Sequence, residues 1–225
     1  AHWPPHKHGL RFEATPGYIY HPQVPARVAA LLPHVQVVFL LRDPAERAFS
    51  DHTMWARQGI TSRSFKTMVY ACVAAITRDG GVALQAGRVL TDVLTTDCPG
   101  SDLDNNDLCG CIENIVAKGL YVEQLRRWAA VLPRAQLLAL DSSELRSPNV
   151  VLSKLSTFLG LRFGNMKTAR LGAVNTKAAP INFVAGQTIA QGAPMGDGVR
   201  ATLAAFYRSA PDYRDWLEVQ SAPFP

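Results

Sequence analysis

The sequence predicts an α/β layered fold with a central parallel sheet flanked by helices. Two apolar runs of strand length, residues 35–41 (VQVVFLL) and 135–140 (AQLLAL), are each followed by a helix-start signal containing proline, and further helical patterns lie between them. Alternation of strand and helix in this way argues for parallel strands joined by helical crossovers. At 225 residues and 48% hydrophobic content, the chain can bury one substantial core, so a single domain over 1–225 is expected.

Residues 35–41 are rich in branched side chains and too short for a buried helix, which reads as a strand covered on both faces. Asp43, Pro44 and Glu46 then supply an N-cap, a first-turn proline and a capping-box partner, so a helix starts at Pro44. Ala45, Ala48, Phe49, His52 and Trp55 recur at three- and four-residue steps and form its buried face, with Gly59 ending it. Residues 61–88 read as a further helical region. From 80 to 111 the pattern dissolves into glycine, aspartate and threonine, a variable loop. A helix over 118–132 carries the stripe Tyr121, Leu125, Trp128 and Leu132, and Pro133 stops it. After the second strand, Ser147 and Pro148 open a helix whose buried face is Val151, Leu155, Phe158 and Leu159, with Gly160 at the C-cap position. A last helix over 198–208, within the C-terminal loop-and-helix stretch 162–225, buries Val199, Leu203 and Phe206.

The charge balance narrows the partners. A net charge of +5 favours an anionic ligand such as a nucleotide or a sulfated glycan, but no block of lysine and arginine marks a nucleic-acid arm. No apolar run approaches the roughly 18 residues a transmembrane helix needs. Cys72 stands apart from Cys98, Cys109 and Cys111, which are close enough to hold one disulfide in an oxidising compartment or to remain a reduced trio. No metal is expected. His2, His6 and His8 lie in a proline-rich tail without a closing ligand. Asp102, Asp104, Asn106 and Glu113 have calcium-loop spacing but Asp107 where that turn requires glycine, and the cysteine trio lacks a fourth zinc ligand.

Ligands of an open α/β sheet bind at the carboxyl ends of its strands. Arg42 stands there, followed at once by a capped helix, which places a guanidinium beside backbone N–H groups and the positive end of a helix dipole. This outlines a phosphate site. Ser50, two turns into the helix, adds a hydroxyl, and Arg47, one turn from Ser50, is placed to take either phosphate or Asp43. The competing reading is an ordinary surface pair between Arg42 and Asp43 beside a well-capped helix.

Residues 42–52, RDPAERAFSDH, resemble the 3′-phosphate-binding motif of carbohydrate sulfotransferases, R-[DN]-P-x-x-R-A-x-S. Upstream, 12–33 (FEATPGYIYHPQVPARVAALLP) resembles that family's acidic, Ser/Thr-Pro-x-Tyr segment and following helix. Downstream, 118–145 (KGLYVEQLRRWAAVLPRAQLLALDSSEL) and 156–161 (STFLGL) resemble its G-x-Y-x-x-Q-L, E-x-L and F-L-G-L landmarks in the same order. The likeness covers 12–161, and 193–217 more faintly resembles the family's C-terminal helix. It implies a P-loop-like fold in which Arg42 and Ser50 bind the 3′-phosphate of 3′-phosphoadenosine 5′-phosphosulfate, the sulfonate donor, and a glycosaminoglycan-like glycan supplies the accepting hydroxyl. Glu13 and His21, flanking the Thr-Pro-x-Tyr segment, are the candidates for the base that takes the hydroxyl proton. Glu144, in the E-x-L landmark, reads as a cap.

The resemblance also implies a preceding strand and a glycine-rich, lysine-bearing loop for the 5′-phosphosulfate. Nothing before Phe12 resembles that loop, and Ala1 is not an initiator methionine, so the domain is expected to be N-terminally incomplete. The heparan sulfate branch has lysine where Ala14 stands, and EATPGY is closer to the branch containing N-acetylgalactosamine 4-sulfate 6-O-sulfotransferases. Eukaryotic relatives of this type are held in the Golgi lumen by an N-terminal anchor. No N-x-[ST] sequon adds support for that compartment. Two alternatives compete: a degenerate sulfotransferase fold that binds anions or glycans without turnover, and a P-loop kinase, which would need a G-x-x-x-x-G-K-[ST] loop the chain lacks.

Overall fold

The computed structural model describes residues 11–77, 114–161 and 194–219. The terminal histidines, the calcium-spaced acids, Cys98, Cys109, Cys111 and most of the variable loop lie outside those residues. Among the described residues the sheet has two parallel strands, β1 (Val37–Leu41) and β2 (Leu137–Asp141), paired from Val37↔Leu137 to Leu41↔Asp141. Seven α-helices surround it among the described residues: α1 (Val24–Leu31), α2 (Pro44–Arg57), α3 (Phe65–Ala75), α4 (Tyr121–Ala129), α5 (Pro148–Leu159), α6 (Asp197–Arg208) and α7 (Arg214–Val219). The expected α/β organisation is present, and none of these helices is long and apolar enough to cross a membrane.

Side-chain alternation along the strands divides the core. Phe39, Leu41, Leu137 and Ala139 face α4, where Trp128 meets Phe39 edge to face at 5.5 Å. The other face of β2, Leu138 and Leu140, packs on Val151, Leu155 and Phe158 of α5. Coverage stops there. Val38 and Leu40 share that face by register but are 41% and 53% exposed, so β1 is not covered on both faces as its apolar run predicts. A second apolar cluster joins α2, α3, residues 115–120 and α6.

The helix signals read from sequence are close, with informative departures. Asp43 caps α2 by accepting from the Glu46 amide at 2.9 Å, Gly59 follows its end at φ +70°, and Gly160 ends α5 at φ +64°. Glu46, however, does not return to the cap: its carboxylate pairs with Arg200 of α6 at 2.5 Å. The helix expected over 118–132 begins only at Tyr121, because Ala117–Gly119 form a tight 3-10 turn wedged against α2 and α6. The second strand is shifted two residues by another 3-10 turn at Arg134–Gln136. On α5 only Val151 is fully buried, and Leu155, Phe158 and Leu159 are half-buried. Cys72, in the buried face of α3, is disulfide-bonded and so is not the isolated thiol its spacing suggests.

His52 of α2 is buried, packs on Phe65 at 5.3 Å and donates from Nε2 to the Arg63 carbonyl at 2.7 Å. Burial lowers its pKa, while the bond to the carbonyl pulls the other way. With the folded value below about 6.5, its stabilising contribution is complete above pH 6.5 and is lost as pH falls through the folded value. Thermal melts stepped down from pH 7.5 to 5 should therefore show a loss of stability below 6.5 that His52→Gln flattens. An unchanged slope in the variant would assign the loss elsewhere.

Candidate functional site

Arg42 follows β1 directly, beside the carboxyl end of both strands. Its Nη2 donates to the Glu46 carbonyl on α2. In an α-helix that carbonyl is the acceptor for the Ser50 amide, so the guanidinium lies along the flank of α2, on which Ser50 is exposed. The Arg42 guanidinium thus reaches the turn of α2 that runs from Glu46 to Ser50. The helix N-terminus itself is self-capped by Asp43, so the amide donors expected there are partly used, and the cationic surface has moved one turn along the helix. Arg42 makes neither the expected surface pair with Asp43 nor a bond to Asp141.

Arg47 serves the fold. Nη1 donates to Asp51 at 2.6 Å and Nη2 to the Ile115 carbonyl, tying α2 to the segment that precedes α4. Asp43, one of the partners its spacing suggested, is not among them, and Asp51 takes the ion pair instead.

Two tyrosines brace the strand ends. The buried Tyr121 ring stands edge to face on Tyr213 at 5.2 Å. Burial pushes the Tyr121 phenol above its ordinary value, against the pull of the Arg47 and Arg42 charges. Tyr213 donates to Asp141 at 3.0 Å, the last residue of β2. Burial, then the bond to Asp141, drives the Tyr213 phenol upward. For Asp141 burial acts to raise the carboxyl, but the Ser143 hydroxyl and amide and the Tyr213 phenol together hold it below the usual value. Glu144 completes a capping box on Asp141 and pairs with Lys154. The cap read from sequence is confirmed.

Glu13 and His21 lie on the segment around the 3-10 turn Pro16–Tyr18. Glu13 is exposed and accepts from the Thr15 hydroxyl; His21 Nδ1 accepts from the Gln23 amide at 3.3 Å. What anchors their segment is Tyr20. Arg127 of α4 donates to its carbonyl at 3.2 Å, and the buried Lys118 ammonium lies 4.5 Å from its ring centroid and 5.1 Å from that of Trp55. Sequence reasoning passed over Lys118, Tyr121, Asp141, Arg200 and Tyr213 as site residues. Lys118 and Tyr121 border the G-x-Y landmark and Asp141 ends a strand, which are signals of place. Arg200 and Tyr213 carry no local signal.

No family model matches the chain. Among curated proteins it is 27% identical over 153 residues to the bifunctional heparan sulfate N-deacetylase/N-sulfotransferase 1 of Caenorhabditis elegans, covering 68% of this chain and 15% of that protein. The Drosophila melanogaster bifunctional heparan sulfate N-deacetylase/N-sulfotransferase is 30% identical over 152 residues, 67% of this chain and 12% of that protein. The chain is homologous to carbohydrate sulfotransferases. A second type of relative, the mouse heparan sulfate glucosamine 3-O-sulfotransferase 3B1, is 24% identical over 157 residues, 68% of this chain and 32% of that enzyme. The chain thus spans between 12% and 32% of the length of these relatives. All three carry heparan sulfate names, although Ala14 in EATPGY had favoured the other branch. The fold agrees: a sulfotransferase structure from Alicyclobacillus acidocaldarius superimposes with a TM-score of 0.50 at 18% identity, covering 85% of this chain and 57% of that one.

Proposed function

We propose that this domain transfers a sulfonate group from 3′-phosphoadenosine 5′-phosphosulfate to a hydroxyl of a glycosaminoglycan-like glycan, with Arg42 and Ser50 holding the donor's 3′-phosphate. The observation that carries the reading is the Arg42 guanidinium laid against the turn of α2 that bears Ser50, at the carboxyl end of a parallel strand. The donor set suits a phosphate: a guanidinium supplies charge and paired N–H groups, and a solvent-facing hydroxyl supplies a further donor. Homology to sulfotransferases supplies the reaction class.

The donor, when bound, supplies the sulfonate and a stable leaving nucleotide. This chain's residues provide position and charge. The bond to the Glu46 carbonyl orients the Arg42 guanidinium before the nucleotide arrives. The acceptor hydroxyl must lose its proton as the sulfonate moves, and Glu13 and His21 remain the candidates to receive it, on a segment pinned by Tyr20. The disulfide at Cys72 favours an oxidising compartment, in keeping with a Golgi lumenal domain anchored in the membrane elsewhere in the polypeptide.

Arg42→Ala tests the phosphate role. Loss of a charge-assisted contact of about 1.5–2 kcal/mol should weaken adenosine 3′,5′-bisphosphate, followed by calorimetric titration, by roughly 10- to 30-fold. The melting temperature should stay close to wild type. Unchanged affinity would remove Arg42 from the site.

A further inference from the structure

Resting on the reading just given, we propose that Arg200 of α6 is a second cation of the 3′-phosphate site, held on Glu46 until the nucleotide arrives. Glu46 is the meeting point: its carbonyl accepts from Arg42, the proposed phosphate ligand, and its carboxylate accepts from Arg200 at 2.5 Å. The two guanidinium groups therefore converge on one residue of α2, in the turn that precedes Ser50.

The Arg200–Glu46 pair is a poor structural fastener. Its side chains are 49% and 42% exposed, and an exposed ion pair contributes little because water and salt screen it. The helix beneath needs no such fastener, because Val199 and Leu203 on either side of Arg200 are buried in the core shared with α2 and α3. The Arg200 backbone is consequently fixed while its tip is free to exchange partners. A phosphate dianion offers more charge than one carboxylate and accepts paired N–H bonds, so it outcompetes Glu46 for the guanidinium. Glu46 then acts as a placeholder that keeps the cation near its target.

The test titrates adenosine 3′,5′-bisphosphate and adenosine 5′-monophosphate into wild type, Arg200→Ala, Glu46→Gln and the double variant. Arg200→Ala should weaken the bisphosphate about tenfold. Glu46→Gln should tighten it about threefold in wild type and much less in the Arg200→Ala background. Neither change should alter binding of the monophosphate, and melting temperatures should remain near wild type. If Arg200→Ala leaves bisphosphate affinity intact, or Glu46→Gln weakens it as Arg200→Ala does, the pair only pins α6 to α2 and the inference is overturned. Wild type that fails to prefer the bisphosphate over the monophosphate would instead overturn the reading of the site itself, and this inference with it.

Discussion

Arg47→Met is expected to cost about 3 kcal/mol of folding stability. The guanidinium side chain is only 15% exposed and serves two partners from two parts of the chain: Asp51 one turn on and the Ile115 carbonyl. Methionine fills much of the same volume, so cavity formation contributes little and the loss is polar. Ile115 is 1% exposed, and water cannot readily replace the lost donor at its carbonyl. Asp51, 29% exposed, recovers part of its hydration, which keeps the loss below that of a fully buried ion pair. For a protein of this size the melting temperature should fall by roughly 6–12 °C. Adding Asp51→Leu should recover part of that fall by removing the stranded carboxylate. Nucleotide affinity of the folded fraction should change little, which separates Arg47 from Arg42 although both are arginines of one short motif. A drop smaller than about 1 kcal/mol, or a loss of nucleotide binding without loss of stability, would reverse this assignment.

The contrast between these two arginines shows what could be read in advance. Local chemistry was legible: a branched apolar run became β1, Asp43 and Pro44 started α2, and the left-handed glycines Gly59 and Gly160 ended helices, because each signal acts within a few residues of its effect. That Arg42 stands at a strand end beside the first turns of α2 was legible for the same reason, since the two are close along the chain. Partner choice was not. Glu46 has the spacing to close a capping box, yet a charged partner 154 residues away takes its carboxylate. Arg47 has the spacing to reach the phosphate-binding turn, yet the segment 114–119 packs on α2 and captures it through Ile115. The bracing of Asp141 by Tyr213, whose ring stands on Tyr121 of α4, likewise depends on packing of the C-terminal segment, which no local period encodes. Long charged and phenolic side chains have many reachable partners, and tertiary packing decides among them.

Gly119→Ala should destabilise the protein by about 2–3 kcal/mol and loosen the site as well. Its φ is not in the left-handed region occupied by Gly59 and Gly160, so the backbone would tolerate alanine and space alone forbids it. A Cβ there would stand 2.5 Å from the Tyr207 hydroxyl, 2.7 Å from its Cζ and 2.8 Å from the Pro44 Cβ. Neither neighbour can give freely. Tyr207 is held by its bond to the Val116 carbonyl at 2.8 Å, and Pro44 is the rigid first residue of α2. The 3-10 turn must therefore retreat from α2, and the strain reaches the Asp43–Pro44 corner that sets the direction of Arg42. The variant should show a melting temperature lower by roughly 4–12 °C and bisphosphate affinity reduced severalfold at a temperature where it is still folded. Tyr207→Phe in the same chain removes one obstructing oxygen but leaves Pro44 in place, so recovery should be partial at most. Stability within 0.5 kcal/mol of wild type for Gly119→Ala alone would mean the turn has slack, and close approach could no longer explain why glycine occupies this position beside Tyr121.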